Sequence, residues 1–193
     1  MVPFVNEHLK ELEKQGVIEK SADPSNRWRS SLVCAPKKDA NGTMTDVRVC
    51  VNFIPLNEKL EGSAYIFQDI DELIVNVAGK KYRTTMDAWA GYHQIPIDKS
   101  SQRMTQFAAP NGQLYTYTAL PFRVKPASEI FCRAMEMVFG GMVGAGVDFI
   151  IDDICVSGDT TFEEHLGRVL ERCRKYGLTL KAKKLEICSP RLD

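Results

Sequence analysis

Apolar residues recur at helical spacing in four stretches of the chain. In the stretch 127–139, Phe131, Met135 and Val138 fall on one helical face, as a helix packed on a core requires. A glycine such as Gly177, directly after a periodic stretch, suits the end of a helix. The pattern predicts helices over residues 3–16, 67–79, 127–139 and 162–176.

Short apolar runs of β-type composition lie between these helices. The runs 32–35 and 47–53 flank Asn41-Gly42, a dipeptide typical of hairpin turns. Further strands are predicted to end at Asp87 and to span residues 94–98, 104–109, 114–118 and 147–156. Strands interrupted by helices favour an α+β fold whose mostly antiparallel sheet packs on helices.

Composition narrows the class of protein. Hydrophobic residues make up 44% of the 193 residues and charged residues 26%, which argues against wholesale disorder. A formal net charge of zero excludes a strongly basic nucleic-acid binder but allows a local basic groove. No run approaches the ~18 apolar residues of a bilayer-spanning helix, so we expect no membrane span.

The six cysteines stand singly within apolar runs, with no Cys-x-x-Cys pair. This pattern predicts reduced, mostly buried thiols. We therefore expect an intracellular, reducing compartment, with cytoplasm, nucleus or an organelle all open.

Two adjacent acids interrupt the apolar run 149–154. On a strand Asp152 and Asp153 would point to opposite faces, whereas at a tight hairpin turn both can approach one site. Buried carboxylates need a partner, and their oxygen atoms select Mg²⁺. With 12 aspartates in the chain, one such pair is also expected by chance, so a metal site and a coincidence both stay open.

Two further groups have candidate chemistry. Asp87 ends an apolar strand, either as a site acid or as the N-cap of a following helix. Lys37, Lys38 and Arg48 lie on the predicted hairpin, where cations can hold phosphates or simply be solvated.

These signals fall in a specific order with other motifs. The landmarks are Leu12-Glu13-Lys14-Gln15-Gly16-Val17-Ile18, Pro36-Lys37-Lys38-Asp39, Val47-Arg48-Val49-Cys50-Val51-Asn52-Phe53, Leu56-Asn57, Asp87, Gly91-Tyr92-His93-Gln94-Ile95, Leu120-Pro121-Phe122, Pro126-Ala127-Ser128, Asp152-Asp153-Ile154, Glu163-Glu164-His165-Leu166 and Leu178-Thr179-Leu180-Lys181-Ala182-Lys183-Lys184. With them, from about residue 9 onward, the chain resembles a reverse transcriptase of gypsy-type long-terminal-repeat retrotransposons, a relative of retroviral polymerases.

The resemblance implies a right-hand polymerase fold. Residues 1–86 would be mainly fingers and residues 87–193 mainly palm, and we expect thumb, connection and RNase H regions to be absent. The implied activity is RNA-directed DNA synthesis, in which two Mg²⁺ ions assist transfer from a dNTP to a primer 3′-hydroxyl. The implied partners are a dNTP and an RNA or DNA template-primer.

The resemblance also assigns roles to residues. The metal-binding, catalytic acids would be Asp87, Asp152 and Asp153. The nucleotide-binding residues would be Lys37, Lys38 and Arg48, which grip the triphosphate, Tyr92, which lies under the sugar and rejects a 2′-hydroxyl, and Phe122 and Arg123.

Several positions depart from the family pattern. Arg123 stands where the family usually has a glycine, and Ile150 where it usually has a tyrosine. The chain also has Asn52-Phe53 for Asp-Tyr and Met104-Thr105-Gln106-Phe107 for Lys-Thr-Ala-Phe, and Asp148 adds a charge before the hairpin. Two hypotheses therefore stay open: a working polymerase domain, or an inactive, co-opted retroelement remnant that binds protein or RNA partners within a larger assembly.

Overall fold

The computed structural model describes residues 1–62, 65–182 and 185. The chain forms two units, one of residues 1–62 with 95–125 and the other of residues 63–94 with 126–193. Each unit is built from two separate stretches of sequence. The division into fingers over 1–86 and palm over 87–193 stays a prediction, because compact units and functional subdomains need not coincide.

Six helices and eight strands follow one another along the described chain. They are α1 (Val2–Lys14), β1 (Ile18–Lys20), β2 (Leu32–Lys38), β3 (Met44–Val51), α2 (Ile54–Asn57), α3 (Ile70–Ala78), β4 (Tyr82–Asp87), α4 (Lys99–Met104), β5 (Phe107–Ala108), β6 (Leu114–Tyr117), α5 (Ala127–Phe139), β7 (Val147–Ile150), β8 (Asp153–Gly158) and α6 (Phe162–Tyr176). A 3₁₀ turn spans Gly91–Gln94. All pairings between these strands are antiparallel.

The first unit contains the predicted basic hairpin. Strands β2 and β3 pair antiparallel, with an irregularity between Lys37 and Lys38. Asp39 closes the tip, because its carboxylate accepts hydrogen bonds from the backbone N–H groups of Asn41 and Thr43. A second sheet has the strand order β1-β6-β5. The core of this unit is a cluster of buried side chains: Val5, Leu9, Val17, Ile18, Val47, Val51, Phe53, Leu56, Phe107, Ala109, Tyr115 and Ala119.

The predicted strand over residues 94–98 is wrong, and the strand predicted over 104–109 is reduced to β5. Only Pro96 forms an isolated bridge, to Ala119, and residues 99–104 form helix α4. Gln94 belongs to the 3₁₀ turn, and Pro96 has no N–H to donate to a strand partner, so residues 94–98 form no regular strand. Helix α4 begins after Asp98, whose carboxylate accepts hydrogen bonds from the N–H groups of Ser100 and Ser101. This N-cap stabilises a helix that the apolar pattern did not predict, and the helix includes Met104, the first residue of the strand predicted over 104–109.

The second unit is a sheet with helices on both faces. The strand order is β4-β8-β7. One row of register partners is Met86, Ile154 and Phe149. The ring centroid of Phe149 lies 6.4 Å from that of Phe139 in α5. On the opposite face, Leu73 and Val77 of α3 pack against Cys155 and Ile150. The sheet therefore lies between α3 and α5.

The helices predicted over 127–139 and 162–176 are confirmed with the same bounds. Gly177 ends α6 in the left-handed region, at φ 74°, which is the usual role of a glycine after a helix. Among the described residues, no helix combines the length and apolarity needed to cross a bilayer. Lys183, Lys184 and Cys188 of the predicted motifs and thiols lie outside the described residues.

We expect the Asp98 cap to make stability depend on pH. Hydrogen bonds from the Ser100 and Ser101 side chains, the largest causes, lower the pKa of Asp98 in the folded chain. A carboxylate with a depressed pKa contributes stability above its unfolded pKa of about 3.9 and loses it as the pH falls. The denaturant midpoint of Asp98→Ala should lie below that of the wild type at pH 7, and the difference should shrink below about pH 4.

The matched control is Asp98→Asn, which keeps an acceptor oxygen but cannot titrate. Its midpoint relative to Asp98→Ala should not change over the same pH range. A wild-type advantage over Asp98→Ala that is constant between pH 7 and pH 3 would contradict this role of the carboxylate.

Candidate active site

The three predicted acids lie at one end of the β4-β8-β7 sheet. Asp87, the last residue of β4, is the register partner of Asp153, the first residue of β8. Asp152 precedes it in the turn, and its carbonyl accepts a hydrogen bond of 3.0 Å from the N–H of Ala88. Asp87 is only 9% exposed, whereas Asp153 is exposed. The structure therefore brings the backbones of all three acids together.

The hairpin turn between β7 and β8 has a strained backbone. Because Ile150 pairs with Asp153, only Ile151 and Asp152 form the loop, and Ile151 has φ 54°. A positive φ at the first loop position normally belongs to glycine, and a β-branched residue is strained there. Such strain clusters at functional sites. Here it places Asp152 at the tip of the hairpin, outside the alternation of the strands.

The donor atoms at this end of the sheet suit a divalent metal. Carboxylate oxygens are the ligands that Mg²⁺ prefers, and Asp87, Asp152 and Asp153 supply them from adjacent backbone positions. Across the described part of the chain, no group of three or more His, Cys, Asp or Glu side chains is arranged to hold a metal ion. The three aspartates thus suit a divalent ion by their chemistry and their location, but their side chains are not arranged as a complete set of ligands.

A lysine lies beside the most buried of the acids. The Nζ atom of Lys181 is 3.9 Å from Oδ2 of Asp87. The backbone N–H of Lys181 donates a hydrogen bond of 2.8 Å to the backbone carbonyl of Asp87. The N–H of Trp89 in turn donates to the carbonyl of Thr179 at 2.9 Å. Residues 179–181 therefore run antiparallel to 87–89, and this pairing brings a cation to the Asp87 carboxylate. The sequence placed Lys181 in a motif but gave it no role.

The side chain of Gln94 fixes this pairing. Its Nε2 donates to the carbonyl oxygens of Trp89, at 2.6 Å, and Thr179, at 3.0 Å. Its Oε1 accepts from the N–H of Thr179 at 2.8 Å. The Gln94 amide thus joins its own segment to Thr179, which is 85 residues away in the sequence. Sequence reasoning missed this role, because no local pattern signals so distant a partner.

Tyr92 lies in the same unit as the acids. Its ring stacks on Phe131 with centroids 5.1 Å apart and planes 24° apart. Its hydroxyl lies 3.0 Å from the hydroxyl of Ser128. Burial, the largest cause, raises the pKa of Tyr92, and the negative charge of Asp152 raises it further. The phenol therefore stays neutral near the acidic end of the sheet.

Lys37, Lys38 and Arg48 lie in the other unit, on the β2–β3 hairpin. Arg48 is exposed and is the register partner of Ala35, whereas Lys37 is the partner of Asp46. The Lys37 ammonium also forms an ion pair with the Asp46 carboxylate. The hydrogen bond that Lys37 donates within this ion pair is the main cause that lowers the pKa of Asp46. Lys37 and Arg48 therefore share the solvent face of the hairpin, with part of the Lys37 charge offset.

Phe122 and Arg123 lie in this first unit as well, and both are exposed. Arg123 has φ 69°, a conformation that favours glycine. Asn57 holds the loop, because its Nδ2 donates to the Arg123 carbonyl and its Oδ1 accepts from the N–H of Lys125, both at 2.8 Å. The backbone at position 123 thus has the geometry that suits a glycine, the residue that the resembled family usually has there.

We predict that Gly91 cannot carry a side chain without moving Phe131. A Cβ on Gly91 would lie 2.8 Å from the Phe131 ring, which is fully buried and cannot yield easily. Gly91→Ala should therefore lower the free energy of unfolding by about 1–3 kcal/mol, as overpacking does. Denaturant unfolding measures the change.

The matched control is Gly79→Ala, because nothing lies within 4 Å of a Cβ at Gly79 and its φ of −84° is open to alanine. That variant should change stability by less than about 1 kcal/mol. Equal effects of the two substitutions would show that the close approach to Phe131 does not constrain this position.

Comparison with known proteins places these features in a family. Residues 18–192 match the family model described as reverse transcriptase (RNA-dependent DNA polymerase). The Pol polyprotein of transposon gypsy of Drosophila melanogaster is 33% identical over 172 residues, covering 87% of this chain and 16% of that protein. The Pol polyprotein of transposon 412 of the same species is 29% identical over 95% of this chain and 15% of that protein. These relatives confirm the predicted resemblance, although the chain spans only about a sixth of their length.

Solved structures show the same fold. The chain superposes on a foamy viral protease–reverse transcriptase in complex with double-stranded DNA with a TM-score of 0.83, at 22% identity over 98% of this chain and 32% of that chain. The TM-score is 0.82 for the complex of that viral protein with an RNA/DNA hybrid, at 23% identity over 96% of this chain and 24% of that chain. The predicted α+β right-hand fold is confirmed.

Proposed function

The chain belongs to the reverse transcriptase (RNA-dependent DNA polymerase) family, and on that premise we propose that it is an RNA-directed DNA polymerase domain. The proposed reaction transfers a nucleotide from a dNTP to the 3′-hydroxyl of a primer paired with an RNA or DNA template. The observation that carries the proposal is the register of Asp87 with Asp153, with Asp152 at the adjacent tip.

In the proposed reaction the primer 3′-oxygen attacks the α-phosphorus of the dNTP, and the bond to the departing pyrophosphate breaks. Two divalent ions, when bound, would acidify the 3′-hydroxyl and neutralise charge on the triphosphate. Asp87, Asp152 and Asp153 would hold these ions through their carboxylate oxygens. Phosphoryl transfer depends mainly on positioning and charge, so the acids need no covalent role.

Residues of the first unit would bind the nucleotide. Lys37 or Lys38 together with Arg48 would grip the triphosphate, because cations on an exposed hairpin face can pair with phosphate oxygens. Phe122 and Arg123 would line the nucleotide from the loop that Asn57 holds. The exposure of Arg48, Phe122 and Arg123 supports these roles.

Tyr92 would lie under the sugar and reject a 2′-hydroxyl. Its buried ring, its stacking on Phe131 and its proximity to Asp152 support this role. A rigid aromatic wall next to the acids is what discrimination at the sugar requires.

We also propose a reducing, intracellular setting for the chain. The five cysteines among the described residues are all free thiols. Burial raises the pKa of Cys155 and Cys173 to about 11, which keeps these thiols protonated and unreactive.

The alternative function is an inactive, co-opted remnant that serves as a binding or structural subunit of a larger assembly. The observation that favours it is Arg123, a bulky cation held at φ 69° in a loop proposed to line the nucleotide. Ile150, which stands where the family usually has a tyrosine, also favours the inactive remnant. The two hypotheses differ in whether the acids still act on a primer.

Primer extension on an RNA template with Mg²⁺ and dNTPs separates the two hypotheses. We expect extension by the wild type and a loss of at least about 100-fold in Asp152→Asn, comparable to removing a group that stabilises charge in the transition state. The matched control is Asp71→Asn, an exposed acid in the first turn of α3, which should extend normally.

Folded wild-type protein that extends no primer would support the remnant hypothesis. Extension that survives in Asp152→Asn would also contradict the proposal, because the reaction would then not use the hairpin acids.

A further inference from the structure

We propose that Ser128 is a positioning residue that holds Tyr92 and thereby sharpens the selection of dNTPs over rNTPs. This inference rests on the proposed function, in which Tyr92 meets the sugar. No role was assigned to Ser128 from the sequence, although it belongs to one of the motifs.

Two contacts to Tyr92 come from one face of α5. Ser128 and Phe131 are three residues apart on this helix, so their side chains are neighbours on its surface. Phe131 stacks on the Tyr92 ring, and Ser128 meets the hydroxyl at the tip of that ring. The helix therefore supports both the flat face of the ring and its outer end.

The stacking alone does not fix the ring completely. An offset stack with centroids 5.1 Å apart resists movement towards Phe131 but allows the ring to slide parallel to it. The hydrogen bond to Ser128 opposes that slide, because it ties the hydroxyl to a backbone held in the first turn of α5. Tyr92 is 9% exposed and Ser128 is half-buried, and a hydrogen bond partly screened from water is stronger than a fully exposed one.

A tied ring discriminates better than a free one. A ribonucleotide differs from a deoxyribonucleotide by one hydroxyl, and a pocket wall that yields by a fraction of an ångström accepts the extra oxygen. Loss of the tie should therefore raise incorporation of rNTPs relative to dNTPs. A residue that served the fold alone would lower both efficiencies together and leave their ratio unchanged.

The test uses Ser128→Ala, Tyr92→Phe, the double variant and Ser128→Thr, which keeps a hydroxyl. The first readout is unfolding without nucleotide. We expect the two hydroxyl deletions to be coupled by about fivefold in the unfolding equilibrium constant, as for a neutral hydrogen bond. Additive effects would show that the two hydroxyls do not interact and would overturn the proposal.

The second readout is the ratio of kcat/KM for a dNTP to that for the matching rNTP in primer extension. Ser128→Ala and Tyr92→Phe should each lower this ratio by about fivefold, the double variant should lower it no further, and Ser128→Thr should restore it.

The outcomes separate this inference from the proposed function. An active wild type with the same ratio in Ser128→Ala overturns the inference alone. A wild type that shows the coupling but extends no primer overturns the proposed function, and the selectivity role falls with it.

Discussion

The antiparallel pairing of β4 with β8 is the constraint on which the rest of the site depends. The pairing places Asp87 opposite Asp153, but the acids themselves do not set it. Met86, Ile154 and Val156 are at most 2% exposed. A one-residue shift in the register of a strand would carry its buried apolar side chains to the opposite face of the sheet. Burial in the middle of the sheet thus fixes the positions of charges at its end.

That charged end needs compensation, because carboxylates close together repel one another. Lys181 supplies a cation to Asp87, and Gln94 fixes the segment that carries Lys181. A divalent ion would supply further positive charge. These positive charges therefore offset the repulsion between the acids, whereas the hydrophobic contacts of the sheet do not depend on the acids.

Much of the fold could be predicted from local pattern. Helices α5 and α6 follow from apolar spacing, and the β2–β3 hairpin follows from two apolar runs around Asn41-Gly42. The strand predicted over 94–98 failed, because Gln94 lies in the 3₁₀ turn and Pro96 lacks the N–H that strand pairing needs. Helix α4, which Asp98 caps, was not predicted either. A cap depends on one side chain and two backbone N–H groups, which hydrophobic periodicity does not reveal.

The candidate site likewise has residues that the sequence indicated and supporting contacts that it did not. Motif order indicated Asp87, Asp152, Asp153 and Tyr92, and the structure places all four in one unit. The contacts that support them, from Lys181 to Asp87, from Gln94 to Thr179 and from Ser128 to Tyr92, join distant parts of the sequence. Such pairs depend on the tertiary fold, so no local signal could have found them. The positive φ of Ile151 is likewise a result of the two-residue turn.

The most direct test of the account is a titration with Mn²⁺ followed by electron paramagnetic resonance, since this ion takes the same oxygen ligands as Mg²⁺. The account predicts that the wild-type chain binds Mn²⁺ at least about tenfold more tightly than Asp152→Asn, because each carboxylate contributes charge and a ligand oxygen. Equal affinities in the two proteins would contradict it, since the ions would then bind away from the hairpin acids.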